Sequence, residues 1–390
     1  MKLTISVFVV AVCLCSMGCS TDKSKSDSLP VIDLSREYPV EKKDIHEIAD
    51  VEYIPLETTD ASVLSGGWTS TSDDYIVIKD NDICFFDRKT GKYLWKFNRM
   101  GNSGEEYPLV SYLAVDFESE ECYIYTPIGN KVYVYTYHGD FKRVFTLEVG
   151  KEFRLSIIND YNQDFLIGYN GFSYRKDPTL LDPHPYYLVS KKDGKVFPLP
   201  LTVRNPINKK QKSSRDDGYI DSSIMINEMI NLLINEDEAF IGDFALDTLY
   251  TTQDCKLTPI AVQSPSVFSG DIPLVLSADL FTDTYMGFYA IKLDADNPLK
   301  SITEAPYLYW NRKTGEVHRY ELYDSNVLIE KVRNPWMYNT KLDRNYGFYR
   351  FKAEFLVEQY EAGNLQGELK EIASKMDMED NYVLVLCKFK

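Results

Sequence analysis

Residues 98–107, which read NRMGNSGEEY, are the stretch of the chain that most resembles a catalytic or ligand-binding loop. Gly101 and Gly104 lie three positions apart, and a glycine-rich loop can bind phosphate through its backbone amide groups. In a nucleotide-binding loop a lysine follows the last glycine, or the loop joins a strand to a helix. Neither condition is met, because two glutamates and a strand-like sequence follow Gly104. The stretch therefore predicts a tight structural crossing in which Tyr107 packs between neighbouring units.

Other side chains with catalytic or metal-binding potential show no recognisable pattern. The chain has only four histidines, of which His138 and His318 fall in or beside predicted outer hairpins and His184 lies in a proline-flanked loop. There is no serine nucleophile elbow and no Cys/His spacing typical of a metal site. The 59 acidic residues are too many for one catalytic pair to stand out. The sequence predicts no catalytic residue, no metal and no cofactor, and it favours a protein that is not an enzyme.

The elements that would position any site form a loose internal repeat. The stretches YIVIKDNDICFFDRKTGKYLWKFNR (75–99) and CYIYTPIGNKVYVYTYHGDFKRVFTL (122–147) both read as strand, turn, strand, glycine turn, strand. Five such units recur with a period of roughly 50 to 60 residues, which indicates a β-propeller with one blade per unit. The glycine turn is predicted to join the third strand to the outermost one. The aligned turns contain Gly91, Gly139, Gly194, Cys255 in place of a glycine, and Gly315.

The two ends of the chain are predicted to form the sixth blade together. The strand-like VEYIPLETT (51–59) has no blade of its own, and the terminal NYVLVLCKFK (381–390) has no outer partner. Pairing them closes the ring and covers strand edges that would otherwise be exposed. Apolar residues at helical spacing over about 351–377 predict two short helices inserted in this blade. The predicted fold class is all-β, a six-bladed β-propeller over 31–390 with this closing strand and this helical insertion.

Two further segments are less regular. Residues 222–240 are apolar enough for a helix or for the inner strand of the fourth blade, and we favour the strand. The segment 205–219 is polar, charged and turn-prone, and it is predicted to be a loop.

The first residues have the features of an export signal. Residues 1–18 contain a lysine, an apolar run too short to span a bilayer, and small residues before Cys19. The box SMGC resembles a bacterial lipoprotein cleavage site, in which Cys19 becomes the acylated first residue and carries chains such as palmitate. The polar residues 19–30 are predicted to be a flexible tether. These features predict a lipid-anchored outer-membrane protein, with periplasmic or cell-surface exposure undetermined, and leave an ordinary secretory signal as the alternative.

Four cysteines remain after this segment. Cys84, Cys122 and Cys387 lie inside strand-like runs and are predicted to be buried free thiols. Cys255 occupies a turn, and a disulfide within this set stays open because the chain is predicted to be exported.

Five aromatic residues in or near the segments between blades are candidate ligand contacts. At the mouth of the ring they would stack on sugar or peptide groups, whereas between blades they would fill wedge-shaped gaps. For any single residue the packing role is favoured. Whether Arg99 or Glu106 also reaches the mouth is left open. The five aromatic residues are Trp68, Tyr174, Tyr285, Trp336 and Tyr338.

Residues 51–64, 73–107 and 379–390 resemble the six-bladed β-propeller lipoproteins of Bacteroidetes. In that family the turn after the first blade commonly reads R-x-G-x-G-P-G-E-Y, where this chain has RMGNSGEEY, so Ser103 and Glu105 depart from the pattern. The turn also resembles the joint of NHL-type propeller repeats. The resemblance implies a propeller fold and an envelope location, and it implies no particular activity.

The charge of the chain restricts the classes of partner. A formal net charge of −16 argues against nucleic acid and against docking on anionic lipid through a basic patch. With the fold that the resemblance implies, we predict a binding module for a glycan, a peptide or an envelope protein, accessory to nutrient uptake. The alternative is a propeller hydrolase or lyase that acts on a sugar or lactone with acids or a metal at the axis. A scaffold with a plugged axis is a third possibility.

Overall fold

The computed structural model describes residues 28–110, 112–150, 153–170, 183–203, 212–215, 218–221, 232–294, 304–329, 342 and 344–390. Over these ranges the chain folds as a six-bladed β-propeller, which confirms the predicted fold class. Cys19 lies outside the described residues, as do Tyr174, Trp336 and Tyr338. The predictions for those residues therefore stay predictions.

The first elements of the chain lie along the outer edge of the ring. They are β1 (Val31–Asp33), β2 (Val40–Asp44), helix α1 (Ile45–Ile48) and β3 (Ala49–Pro55). We call residues 31–55 the N-terminal belt, since they follow the outer edges of three successive blades.

Blades 1 to 3 follow, each an antiparallel sheet of four strands from the innermost to the outermost. Blade 1 contains β4 (Trp68–Thr71), β5 (Tyr75–Lys79), β6 (Ile83–Asp87) and β7 (Tyr93–Phe97). Blade 2 contains β8 (Tyr112–Asp116), β9 (Glu121–Thr126), β10 (Lys131–Thr136) and β11 (Phe141–Thr146). Blade 3 contains β12 (Ile157–Asp160), β13 (Phe165–Tyr169), β14 (Tyr186–Ser190) and β15 (Val196–Pro198).

A small hairpin separates blade 3 from blade 4. Its strands, β16 (Lys212–Arg215) and β17 (Gly218–Asp221), pair antiparallel, and all but the last two residues lie in the segment 205–219 that was predicted to be a loop. The loop prediction was wrong for these residues. They form a hairpin through backbone pairing, although their sequence lacks the alternating apolar residues that would predict a strand.

Blades 4 to 6 complete the ring. Blade 4 contains β18 (Leu232–Asn235), β19 (Glu238–Ile241), β20 (Thr248–Gln253) and β21 (Lys256–Ser264). Blade 5 contains β22 (Leu274–Phe281), β23 (Tyr285–Lys292), β24 (Tyr307–Asn311), β25 (Val317–Asp324) and the short β26 (Val327–Leu328). The described strands of blade 6 are β27 (Tyr346–Phe351), β28 (Val383–Phe389) and β3. The favoured strand in 222–240 is thus present at Leu232–Asn235, and residues 222–231 lie outside the described ranges.

The glycine turns join the third strand of each blade to the outermost one, as predicted. Gly91, Gly139, Gly194 and Gly315 have φ angles of 68°, 80°, 73° and 78°, in the left-handed region that favours glycine. Cys255 takes the same place in blade 4 with a φ of 61°. The repeat in the sequence therefore reflects a repeated backbone requirement at this turn.

The ring closes in the predicted way. β3 pairs antiparallel with β28, in a register that runs from Ala49 opposite Phe389 to Pro55 opposite Val383. The outermost strand of the last blade is therefore supplied by the N-terminal part of the chain, and the two ends of the propeller hold each other.

The belt adds two strands that the sequence did not reveal. β1 lies parallel to β21, with Val31 opposite Val262, and β2 lies parallel to β25, with Val40 opposite Arg319. Each becomes a fifth strand on the outer edge of its blade. The outer edges of blades 4 and 5 are therefore covered by the chain's own N-terminal segment.

The core consists of apolar clusters between neighbouring blades. Helices α2 (Ala353–Glu361) and α3 (Gly367–Ala373) lie between β27 and β28, as predicted. The helices bury Leu356 and Leu369, and the link between them buries Leu365, in the inter-blade cluster that contains Tyr349. Among the described residues, no helix combines the length and the apolar character that crossing a membrane requires.

Candidate functional site

The connections between strands divide the ring into two unlike faces. Because neighbouring strands are antiparallel, the connections from first to second strand and from third to fourth strand emerge on one side. These connections are short in the described blades, and we call this side the short-turn face. The other side carries the second-to-third connections, with the helical insertion, and the crossings between blades. We call it the long-connection face.

A buried lysine joins blades 2 and 3 on the short-turn face. Lys191 directly follows β14, and its Nζ lies 2.6 Å from Asp116 Oδ2 and 2.6 Å from Asp160 Oδ1. The two carboxylates end β8 and β12, the innermost strands of the two blades. All three side chains are less than 10% exposed. The ammonium group therefore bridges the blades from inside the protein.

The environment keeps this cluster charged. Burial by itself disfavours the ammonium group, but the carboxylates of Asp160 and Asp116 outweigh burial, so the pKa of Lys191 is raised. Burial likewise opposes ionisation of Asp116, yet the hydrogen bonds from Lys191 and Ser119 leave its pKa lowered. Both shifts favour the ion pair over neutral partners.

A second network lies beside this lysine. Arg143 donates from its two terminal nitrogens to Glu121, at 2.9 and 2.7 Å, and the Tyr123 hydroxyl donates to the same carboxylate at 2.6 Å. Lys142 adds an ion pair, and Arg143 also donates to the carbonyl oxygen of Lys191 at 3.3 Å. Although burial opposes ionisation, these donors lower the pKa of Glu121 to about 2.

Glu121 should make the stability of the protein depend on pH in the acidic range. Its pKa is about 2 in the fold and 4.5 ordinarily, so its contribution is complete above pH 4.5 and is lost as the pH falls towards 2. We expect Glu121→Gln to be less stable than wild type at neutral pH, with a difference that shrinks across that window. Urea midpoints of both proteins measured from pH 7 to pH 2 test this, and a difference independent of pH would contradict it.

Another cluster of charges joins blades 4, 5 and 6 on the short-turn face. Arg344, which precedes β27, donates from Nε to Asp283 at 3.1 Å and forms an ion pair with Glu238. Arg312 donates to the carbonyl oxygen of Thr282 at 2.7 Å, and its Nη2 lies 3.7 Å from Glu238. Burial lowers the pKa of Arg312 in spite of these acids, whereas the same acids outweigh burial at Arg344 and raise its pKa.

Three of the bridging cations occupy equivalent positions in the repeat. Each directly follows the third strand of its blade, and its backbone N–H donates to the first-to-second turn of the same blade. In blade 1 the cation pairs with Glu52 of β3 through two hydrogen bonds, at 2.9 and 2.8 Å, and so connects blade 1 to blade 6. The three cations are Arg88, Lys191 and Arg312.

These clusters suit cohesion between blades better than catalysis. Each charged group named above has an opposite charge at short distance, and in each cluster at least one contact joins two blades. A general acid or base must exchange its proton with a substrate, and a carboxylate held by lysine or arginine is a poor one. Among the described residues, no three His, Cys, Asp or Glu side chains are grouped so that they could hold a metal ion.

The connection 98–107 is a closed loop on the long-connection face. Tyr107 is buried between blades 1 and 2, as predicted, and its hydroxyl accepts a hydrogen bond from the Arg99 backbone at 2.9 Å. The Arg99 side chain donates from Nε to the carbonyl oxygen of Gly139 at 2.7 Å. The loop is therefore fixed to blade 2 at both its start and its end.

The remaining polar groups of this loop are also engaged locally. The Glu106 carboxylate accepts a hydrogen bond from the Ser103 backbone at 3.0 Å, and this bond is the main cause that lowers its pKa. A Cβ atom at Gly101 would overlap the same carboxylate. Gly101 therefore leaves space for the Glu106 side chain. Glu106 makes its hydrogen bond within the loop.

The structure separates the two described aromatic candidates. Trp68 begins β4 and is 48% exposed on the long-connection face. Tyr285 begins β23 at the short-turn face, where its ring is partly buried 5.7 Å from that of Phe389. Tyr285 therefore fills space between blades, whereas Trp68 remains about half exposed.

The other side chains considered in the sequence lie away from the axis or are buried. His138 is in the outer turn of blade 2 and His318 is in the outermost strand of blade 5, where the sequence placed them. The four cysteines of the described region are free, and all but Cys255 are buried.

Exposed apolar side chains reveal a feature that the sequence did not show. The described residues include fourteen large apolar side chains that are exposed, and nine of them lie on the long-connection face. The other five lie on the outer strands or belt, and none of the fourteen lies in a short turn. The nine are Val63, Trp68, Met100, Leu109, Ile128, Phe268, Ile272, Tyr360 and Met378.

Solved structures share this architecture. A protein of Bacteroides fragilis described as an exported protein matches with a TM-score of 0.61 at 15% identity, over 92% of this chain and 99% of its own. A DUF4221 family member from Bacteroides vulgatus matches with a TM-score of 0.49 at 11% identity, over 88% of this chain and 97% of its own. BamB from Moraxella catarrhalis matches with a TM-score of 0.34 at 12% identity, over 69% of this chain and 66% of its own. At these identities the first of the three supports the fold.

The family follows from the sequence match. None of the curated proteins matches this chain significantly. The model of one family, described as a domain of unknown function, matches residues 29–264, which is more than half of the chain and includes the belt and blades 1 to 4. The chain is a member of the DUF4934 family.

Proposed function

We propose that the protein is a lipid-anchored binding module of the cell envelope, which binds a glycan, a peptide or a partner protein through its long-connection face. The observation that carries this proposal is the concentration of exposed apolar side chains on that face. Monomeric proteins rarely expose neighbouring apolar groups on one surface without a binding role. Such a module fits an accessory role in nutrient uptake at the outer membrane.

The alternative, an axial hydrolase or lyase, has less support. The acids at the inner ends of β8 and β12 are both held by Lys191, and Glu238 is held by two arginines. These carboxylates stabilise contacts between blades, so they are poorly placed to protonate or attack a substrate.

Binding is tested with the purified chain on glycan and peptide arrays and by pull-down from solubilised envelope. The proposal expects one class of ligand to be retained at concentrations in the micromolar range or below. If no glycan, peptide or envelope protein binds, the proposed function is wrong.

Lipid anchoring rests on Cys19 and on the cleavage box before it. We expect Cys19→Ala to move the protein from the membrane fraction to the soluble fraction, because acyl chains provide the membrane affinity. Cys255→Ala, which removes a partly exposed thiol of the propeller, is the matched control and should leave fractionation unchanged. Retention of the Cys19→Ala protein in the membrane fraction would contradict the anchor.

A further inference from the structure

Five of the exposed apolar side chains lie on three neighbouring connections of the long-connection face. Val63 and Trp68 belong to the crossing from blade 6 to blade 1, and Met100 and Leu109 belong to the next crossing. Met378 ends the helical insertion of blade 6. They are 65%, 48%, 61%, 44% and 49% exposed, in that order. We call these five residues the apolar sector.

Hydrogen bonds tie the helical insertion to the crossing that carries Val63 and Trp68. The amide of Asn381, which is 2% exposed, accepts from the Leu64 backbone at 2.9 Å. It donates to the carbonyl oxygens of Glu57 and Ser62 at 2.9 and 2.8 Å. One buried side chain, three residues after Met378 in the sequence, therefore bonds to three positions of this crossing.

The next connection is tied in the same way. Asp80, in the turn between β5 and β6, accepts hydrogen bonds from the backbone and the hydroxyl of Ser65. Asn98 donates to the Asn81 carbonyl oxygen at 3.2 Å and to Asp82 at 3.0 Å in that same turn. The turn thus lies between the two crossings and is bonded to each. Hydrogen bonds therefore hold together the three connections that carry the apolar sector, and a partner that binds there has few loops to order.

Acidic residues flank the apolar sector along the chain. Asp60, Glu105, Asp377 and Glu379 are exposed on the same connections. Residues 352–380, which contain the helical insertion, have eight acidic and three basic residues. An apolar centre with a polar rim is the usual composition of a protein–protein interface, in which Met and Trp are enriched relative to the rest of the surface. The rim favours a complementary surface that carries Lys and Arg.

We propose that the apolar sector is the docking site for a partner protein that presents apolar side chains surrounded by lysine and arginine. This inference rests on the proposed binding function and assigns its ligand class. A second copy of the chain would bring its own acidic rim against this one, and like charges at an interface disfavour association. An anionic membrane surface is disfavoured for the same reason. Four of the five side chains are aliphatic or thioether groups, which lack the flat ring that stacks on a sugar.

The test places a photo-crosslinking amino acid at position 63 or 109 of the full chain in its native cells. Control positions are 94, on the outer strand of blade 1, and 313, in a short turn. We expect the same protein to be crosslinked from both sector positions and from neither control. That protein is then purified, and its affinity for the propeller is measured by calorimetry.

A matched pair of variants measures the sector itself. Leu109→Asp and Leu94→Asp make the same change at side chains that are 44% and 40% exposed, so both should fold. We expect Leu109→Asp to weaken binding at least about tenfold, Leu94→Asp to leave it unchanged, and added salt to weaken it further in wild type.

The possible results separate this inference from the proposed function. Crosslinks to a partner from the control positions alone would show that the protein binds but that the sector is the wrong surface. Crosslinks to a second copy, or binding to glycans that Leu109→Asp abolishes, would overturn the ligand class. If no position yields a crosslink and the arrays and pull-downs are also negative, the proposed function is overturned with it.

Discussion

Lys191→Met is expected to lower the free energy of unfolding by about 3–5 kcal/mol, since it leaves two buried carboxylates without their cation. Asp116 and Asp160 both lie 2.6 Å from Nζ, and neither can turn to solvent without moving the innermost strand that it ends. Methionine replaces the aliphatic part of the lysine, so the loss reports the charge rather than a cavity. Urea denaturation at neutral pH measures the change.

The same turn offers a matched control. Lys195 pairs with Asp193 at 3.0 Å at the surface, and Lys195→Met should leave the urea midpoint unchanged. A triple variant, in which Lys191→Met is combined with Asp116→Asn and Asp160→Asn, should recover much of the lost stability because the unpaired charges are gone. Equal effects of Lys191→Met and Lys195→Met would contradict the role given to the buried cluster.

Gly91→Ala is expected to have the second large effect, because this glycine meets two requirements at once. Its φ of 68° costs an alanine about 1–2 kcal/mol, and a Cβ atom there would overlap the carbonyl oxygen of Pro55 in the ring-closing strand. The neighbour is backbone and cannot rotate away, so overpacking adds about 1–3 kcal/mol. Thermal unfolding of the variant should show a clear decrease in the melting temperature.

Gly315→Ala separates the two contributions. Gly315 has a φ of 78° at the equivalent turn of blade 5, but a Cβ atom there would meet nothing within 4 Å. The Gly315→Ala variant should therefore lose only the stability that the positive φ costs an alanine. It should remain more stable than the Gly91→Ala variant. Equal losses in the two variants would mean that the contact with Pro55 does not matter at ring closure.

The repeat was predictable because its signals are local. A turn that needs a positive φ leaves a glycine in the sequence, and alternating apolar strands on either side identify the blade. The closing strand was found for a related reason, since VEYIPLETT reads as a strand without neighbours. The helical insertion shows its own apolar spacing over residues 353–373.

The belt strands could not be found in the same way. β1 has three residues, and β2 reads VEKKD, which has neither the apolar alternation nor the aromatic content of a strand. Their conformation is dictated by the edges of blades 4 and 5, which lie more than two hundred residues later in the chain. Such pairing depends on tertiary contacts, so the local sequence does not predict it.

The charged clusters were missed although a signal existed. The turns DRKTGK, SKKDGK and NRKTGE place a basic residue at the same position, directly after the third strand. Their acidic partners lie far away in the sequence, several of them in other blades, and follow no local rule. The apolar sector was hidden for the opposite reason, because only the fold shows which apolar side chains in the crossings remain exposed.

The belt also determines how a mechanical load on the N-terminus reaches the ring. A pull at residue 30 acts first on β1, whose three residues pair along the edge of blade 4, and then on β2 along blade 5. Only after both have detached does tension act on β3, the strand that keeps the ring closed. A load applied at the N-terminal side would therefore have to detach β1 and β2 before it reached the strand that keeps the propeller closed.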